Sequence, residues 1–278
     1  MGDVLSSLAP IFRGLTKKEL SVYMKKVDKH QRKNDILLGF LERPALKWLA
    51  AHMPPWVTPD TMTWIGIVAS FIIFFSYVLT HISPAFLWLA SLGFVLNWFG
   101  DSLDGTLARY RHIERPRYGF LVDHFVDAIS ALLIFIGLGI SPYVDLVVAC
   151  FAVIGYLLMS IMVYLVTYVT GIFKISNARI GPTEIRLLAI LANTTIFFIG
   201  NPTYNLPLFG EISLYTLIVA VLAIAMFVYF LVNTSIQARK LQLLDQKRLE
   251  RRIEKAQKET TVKQNNPAEG VEQLVKNQ

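Results

Sequence analysis

Six apolar stretches, at roughly residues 61–80, 84–100, 120–140, 143–173, 184–200 and 212–235, constrain this chain more than any other feature. Each approaches the ~20 residues that a helix needs to cross the hydrocarbon of a bilayer. Lipid offers backbone N–H and C=O groups no partner, so such runs must satisfy their own hydrogen bonds as helices. The expected fold is all-α, a polytopic membrane protein with six transmembrane helices. A chain of 278 residues could hold one or two soluble domains, but 54% hydrophobic content and only 17% charge exclude that reading. The second run is short unless its helix continues through Asp101, as we expect. The fourth is long enough to tilt or to project from the membrane.

Charge is distributed unevenly. Of the 27 Lys and Arg, ten lie in residues 1–50, ten in 236–278 and seven between. Arg109, Arg111, Arg115 and Arg117 follow the second run, and Lys174, Arg179 and Arg186 fall between or beside the fourth and fifth. The alternate connections, His81–Pro84, Ser141–Tyr143 and Gly200–Ser213, carry no Lys or Arg. This asymmetry places both termini and both basic loops on the cytoplasmic side, with an even number of spans between them. The net charge of +7 comes without any nucleic-acid reading motif. Anionic lipid is the better partner, and no nucleic acid is expected.

The chain divides at changes of composition. Residues 1–56 mix apolar and basic positions, as in Leu37–Leu49, and read as an interfacial amphipathic region. Residues 57–236 hold the six spans, with Thr58 as N-cap and Pro59 at the first helical position of span one. Residues 237–278 read as a basic cytoplasmic tail, helical to Glu259 and too polar beyond it to order. No cleavable signal peptide is visible in residues 1–35. Cys150 stands alone in an apolar run and reads as a small hydrophobe. Trp48, Trp56, Trp64, Trp88 and Trp98 suit interfacial belts.

Polar chemistry concentrates between residues 101 and 127. On helices, Asp101, Asp104, Gly105 and Ala108 share one face, and Gly119, Asp123 and Asp127 form a second stripe. Ionised side chains beside lipid are costly and usually functional. Two helices turning these faces together would gather four carboxylates, which cations must neutralise. Oxygen-only ligation favours Mg²⁺ or Mn²⁺ over zinc. Gly105 and Ala108 remove bulk from the same face, and the Arg109 fork suits phosphate oxygens. Together they describe a pyrophosphate site at the cytoplasmic boundary.

Asp101-x2-Asp104-Gly105-x2-Ala108-Arg109-x9-Gly119-x3-Asp123-x3-Asp127 resembles the signature of the CDP-alcohol phosphotransferase (CDP-alcohol phosphatidyltransferase) family, class I integral membrane enzymes. All eight fixed positions are present. The resemblance implies a substitution at phosphorus in phospholipid biosynthesis. An acceptor alcohol attacks the β-phosphorus of a CDP-linked alcohol, and CMP leaves; at least one of the two alcohols is a lipid. It further implies Asp101, Asp104, Asp123 and Asp127 as ligands of two Mg²⁺ or Mn²⁺ ions, with Asp127 also the candidate base. Gly105, Ala108, Arg109 and Gly119 are implied to border the CDP moiety. A homodimer is expected on the resemblance alone.

Two donor chemistries remain open. A CDP-aminoalcohol could deliver its headgroup to diacylglycerol, or CDP-diacylglycerol could deliver phosphatidyl to a polar alcohol. Asp123-His124 resembles the aminoalcohol branch, where His124 would tune the base or accept a proton, and Gly181-Pro182-Thr183-Glu184 resembles it too. Both features lean toward the first chemistry. Each also has a structural reading: His124 bonded to backbone, and Pro182 with Glu184 starting the fifth span. Arg186 is the basic residue least explained by loop charge alone. A divalent cation transporter is the alternative of another class. It would account for the acids, but not for Gly105, Ala108, Arg109 and Gly119 at these spacings.

Overall fold

The computed structural model describes residues 38–170, 181–207 and 210–265. Helix α1 (Gly39–His52) precedes α2 (Pro59–Leu79), α3 (Phe86–Tyr110), α4 (Pro116–Ile140), α5 (Leu146–Thr170) and α6 (Pro182–Ile199). A short hairpin of β1 (Thr203–Leu206) and β2 (Gly210–Ser213) leads into α7 (Leu214–Asn265). Six of these helices, α2 to α7, are long and apolar enough to cross a membrane. The all-α expectation holds, with the two-stranded antiparallel hairpin as a small addition. The described residues form two compact units, divided between residues 228 and 229.

Local signals start the helices where the sequence places them. Thr58 Oγ1 accepts the Thr61 N–H at 3.2 Å, and Pro59 follows at the first helical position. At α6, Pro182 occupies the same place, while Glu184 Oε2 accepts the Gly181 N–H at 2.8 Å. The structural reading of Gly181–Glu184 is therefore realised. The second span does continue through the aspartates, to Tyr110. α5 covers Leu146–Thr170, and residues 171–173 of the segment expected to reach residue 173 lie outside the described residues. So do Lys174, Arg179 and the amphipathic region before Leu38.

Helix α2 is the scaffold, packing against both α3 and α4; α3 packs also on α6 and α1, and α4 on α5. Close packing demands small residues. A Cβ on Gly93 would lie 2.6 Å from Ile73, and one on Gly137 would lie 2.9 Å from the Cα of Phe74. Ile73, Tyr77, Leu87, Ala90, Phe94, Ala149 and Ile196 form the main core. Polar groups buried in this core pair across helices: Tyr77 donates to Asn193 Oδ1 at 3.0 Å, and Asn193 Nδ2 donates to Ser91 at 3.2 Å. A second core of Leu46, Ala50, Val57, Met62, Leu103 and Leu107 seats α1 beside the end of α3 that bears the motif.

Arg111 ties that end together. Its guanidinium donates to the carbonyls of Met53 (3.1 Å), Pro54 (2.8 Å), Pro55 (3.4 Å) and Val57, clasping the α1–α2 connection to the end of α3. Arg115 pairs with Asp60 at the start of α2. These two arginines carry structural contacts beyond loop charge. Trp98 departs from the belt expectation: its indole donates to Glu42 Oε1 at 3.0 Å, whereas Trp48, Trp56, Trp64 and Trp88 are exposed. In residues 229–265 the helix is one element with the last apolar run, and Lys258 pairs with Glu254 one turn away. It extends to Asn265, six residues past the Glu259 boundary expected from sequence.

Candidate active site

The motif faces sit on α3 and α4, two helices whose common backing is α2. Asp101, Asp104, Gly105 and Ala108 lie in the last turns of α3, and Gly119, Asp123 and Asp127 in the first turns of α4. All four carboxylates are partly buried. They form one electrostatic cluster: Asp127 experiences Asp101, Asp123 and Asp104 as like charges and Arg186 as the opposite one. Of the four, Asp123 and Asp127 fall, with His124, in a group of ligand atoms close enough to share a metal ion among the described residues, and Asp101 and Asp104 are not in that group.

The two helices treat their aspartates differently. On α4, ligand atoms of Asp123, His124 and Asp127 all lie within 4.8 Å of one another. On α3, protein donors already hold the carboxylates. Thr63 of α2 donates to Asp104 Oδ2 at 2.8 Å, and the Gly105 N–H meets Asp104 Oδ1. Arg186 Nη2 of α6 lies 2.6 Å from Asp101 Oδ2. Oxygen donors from two helices, gathered with a net negative charge, fit a hard divalent cation. Asp123, His124 and Asp127 are the residues whose ligand atoms lie close enough to hold it. A single imidazole among carboxylates remains compatible with Mn²⁺.

His124 is packed rather than loose. Its ring stacks on Tyr164 of α5 at 4.5 Å between centroids, and Phe120 lies 4.1 Å away on its own helix. Its Nδ1 is 3.5 Å from Asp123 Oδ2.

The expected CDP border is partly explained by local geometry. A Cβ on Gly105 would lie 3.2 Å from Arg109 Nη1, so the glycine clears room for that guanidinium. Arg109 Nη2 donates to Thr106 at 3.1 Å, with the arginine otherwise exposed. Gly119 has nothing within 4 Å of its would-be Cβ among the described residues, which is the space a ligand needs. Ala108 is half-buried on the Asp101–Asp104 face.

Sequence reasoning missed the residues behind the aspartates. Asn97, one turn before Asp101, accepts from Arg186 Nε at 2.8 Å and donates to Gly66 O and Ser70 Oγ, both at 3.0 Å. Ser70 in turn meets Ser130 of α4 at 2.8 Å, so a polar chain joins α6, α3, α2 and α4 under the site. Glu42 of α1 accepts from Ser102 at 3.1 Å and from Thr183 at 2.9 Å. Asn97 was detectable as a polar residue at i−4 of Asp101 in an apolar run. Glu42 left no such signal, because an acid in a basic interfacial helix reads as solvated.

Comparison with known proteins fits this arrangement. Cholinephosphotransferase 1 of Danio rerio is 27% identical over 173 residues, 59% of this chain and 44% of that protein. The Gallus gallus protein of the same name is 27% identical over 204 residues, 68% and 59% of the two chains. That of Xenopus laevis is 28% identical over 189 residues, 60% and 46%. The chain spans about half the length of the curated relatives it matches. The family profile for CDP-alcohol phosphatidyltransferase matches residues 56–232, a stretch that contains all eight motif residues, the α2 scaffold and Arg186. With most of its membrane domain so matched, the chain belongs to the CDP-alcohol phosphatidyltransferase family.

Proposed function

We propose that this protein transfers a substituted phosphate from a CDP-linked alcohol to an acceptor alcohol, releasing CMP, in the synthesis of a phospholipid. The observation that carries the reading is the Asp123–His124–Asp127 group on α4, whose ligand atoms lie within 4.8 Å of one another, set beside an exposed Arg109 and the open surface at Gly119. Asp101, Asp104, Asp123 and Asp127 are the proposed ligands of Mg²⁺ or Mn²⁺. The bound ions would supply charge neutralisation for a diphosphate and its leaving CMP. Arg109 grips phosphate oxygens, and the glycines let the donor approach the backbone. Asp127, or His124 braced by Asp123 and Tyr164, takes the proton from the acceptor hydroxyl. The charge of the Arg109–Arg117 loop favours a site open to the cytoplasm.

The donor is proposed to be a CDP-aminoalcohol and the acceptor diacylglycerol. Support comes from the fixed Asp123-His124 pair and from relatives that are cholinephosphotransferases. CDP-diacylglycerol with a polar alcohol is the second reading, since the core motif serves both. The reverse reaction separates them. Purified protein in lipid is given CMP, Mn²⁺ and a panel of phospholipids. Formation of a CDP-aminoalcohol and diacylglycerol supports the proposal, and formation of CDP-diacylglycerol selects the alternative. No CDP compound from any lipid sinks the substrate assignment.

A further inference from the structure

The candidate metal centre already contains a fixed cation supplied by a third helix. Arg186 stands in the first turns of α6, its side chain 13% exposed. Nη2 closes on Asp101 Oδ2 at 2.6 Å, and Nε donates to Asn97 Oδ1 at 2.8 Å. Asn97 is itself buried at 3% exposure, with its amide nitrogen held by Gly66 O and Ser70 Oγ, so its oxygen is fixed toward the guanidinium. Nη1 is buried and, among the described residues, has no hydrogen-bond partner. A guanidinium cannot shed its charge by losing a proton. One oxygen of a proposed metal ligand is therefore occupied by a permanent positive charge, held from behind by a rigid buried amide.

We propose that Arg186 is a built-in counter-cation of the metal centre, which restrains Asp101 when no divalent ion is bound and competes with that ion for Asp101 Oδ2. Arg186 thereby sets the affinity of the centre for its cation. This rests on the metal reading given under Proposed function. The role differs from simple positioning in the sign of its effect. A residue that only orients Asp101 strengthens metal binding, so its loss weakens affinity. A counter-cation opposes metal binding, so its loss strengthens affinity even where turnover falls because Asp101 is less well placed. Removing one like charge a few ångströms away, at an effective dielectric near 20, corresponds to a change of roughly tenfold or more.

The test is Mn²⁺ titration of the full chain in lipid nanodiscs, read by the loss of the free-ion electron paramagnetic resonance signal. Wild type, Arg186→Gln and Arg186→Lys are compared, each checked for monodispersity. Arg186→Gln is expected to bind Mn²⁺ about tenfold more tightly than wild type. Unchanged or weaker binding by Arg186→Gln, with wild type binding normally, overturns the counter-cation role and leaves the metal reading standing. Absence of binding in both proteins overturns the metal reading and this inference with it. Should Arg186→Gln not fold, Arg186→Lys decides. Lysine lacks the planar fork that spans Asn97 and Asp101, so it holds Asp101 Oδ2 less firmly and Mn²⁺ should bind more tightly than to wild type. Unchanged or weaker binding by the lysine variant again overturns the role.

Discussion

A Cβ placed on Gly100 would fall 2.6 Å from the backbone nitrogen of Gly66, so α2 and α3 touch backbone to backbone one residue before Asp101. The neighbour is main chain and cannot swing aside as a rotamer could. Gly100→Ala should therefore spread the two helices, cost about 1–3 kcal/mol through overpacking, and weaken Mn²⁺ binding by moving Asp101. Gly119→Ala is the control, because nothing lies within 4 Å of that position among the described residues. It should leave the melting temperature unchanged or slightly raised while reducing turnover. Thermal unfolding of both variants in the same detergent checks the contrast; equal loss of stability would contradict it.

Thr63 donates to Asp104 Oδ2 from the scaffold helix and so fixes the carboxylate from behind. Thr63→Val keeps the shape and removes the donor. Loss of a group that orients a metal ligand typically costs about 10–100-fold in metal affinity or activity. Thr63→Val should fall in that range and Thr63→Ser should stay near wild type. Mn²⁺ affinity measured for the pair decides it.

Arg111 binds four backbone carbonyls of the α1–α2 connection. Arg111→Ala should destabilise the fold by about 2 kcal/mol or more, as expected for several hydrogen bonds to a charged donor. Lysine lacks the fork and should not rescue it. Mn²⁺ affinity of the folded fraction should be unchanged. A tighter or weaker metal site in Arg111→Ala would mean that the residue acts on the centre and not on the loop.

Glu42 fastens α1 through Trp98, Ser102 and Thr183. In Glu42→Ala three donors lose one acceptor, and α1 should open more readily. Hydrogen exchange should speed up over Gly39–His52 while α2 keeps its protection. Unaltered exchange in α1 would show that its apolar contacts suffice.

Much of this architecture was legible because lipid leaves the backbone so few choices. Uniform apolar runs gave six helices, and Thr58-Pro59 and Gly181-Pro182-Thr183-Glu184 marked two starts to the residue. The spacing placed Asp101 with Asp104 on one helix face and Asp123 with Asp127 on another, since helical period alone sets which residues share a face. What escaped depends on pairing between helices. Gly66 and Gly100 are ordinary glycines until two backbones cross at them. Arg111 reads as loop charge until four carbonyls converge on it. The hairpin of Thr203–Leu206 and Gly210–Ser213 was hidden because four-residue strands are too short for a period to show. The 52 residues of α7 merged a span with a tail that composition had separated.

CMP-releasing transfer at the aspartates of α3 and α4 is the proposed activity. Purified protein in vesicles with diacylglycerol and CDP-choline is assayed for CMP, with Mn²⁺ or with a chelator, alongside Asp123→Asn and Asp127→Asn. CMP should appear only with the divalent ion and be lost in both variants. Replacing CDP-choline and diacylglycerol with CDP-diacylglycerol and a polar alcohol covers the second donor chemistry in the same assay. CMP release that persists in the chelator, or full turnover by Asp127→Asn with metal bound, would contradict the assignment of this cluster as the reaction centre.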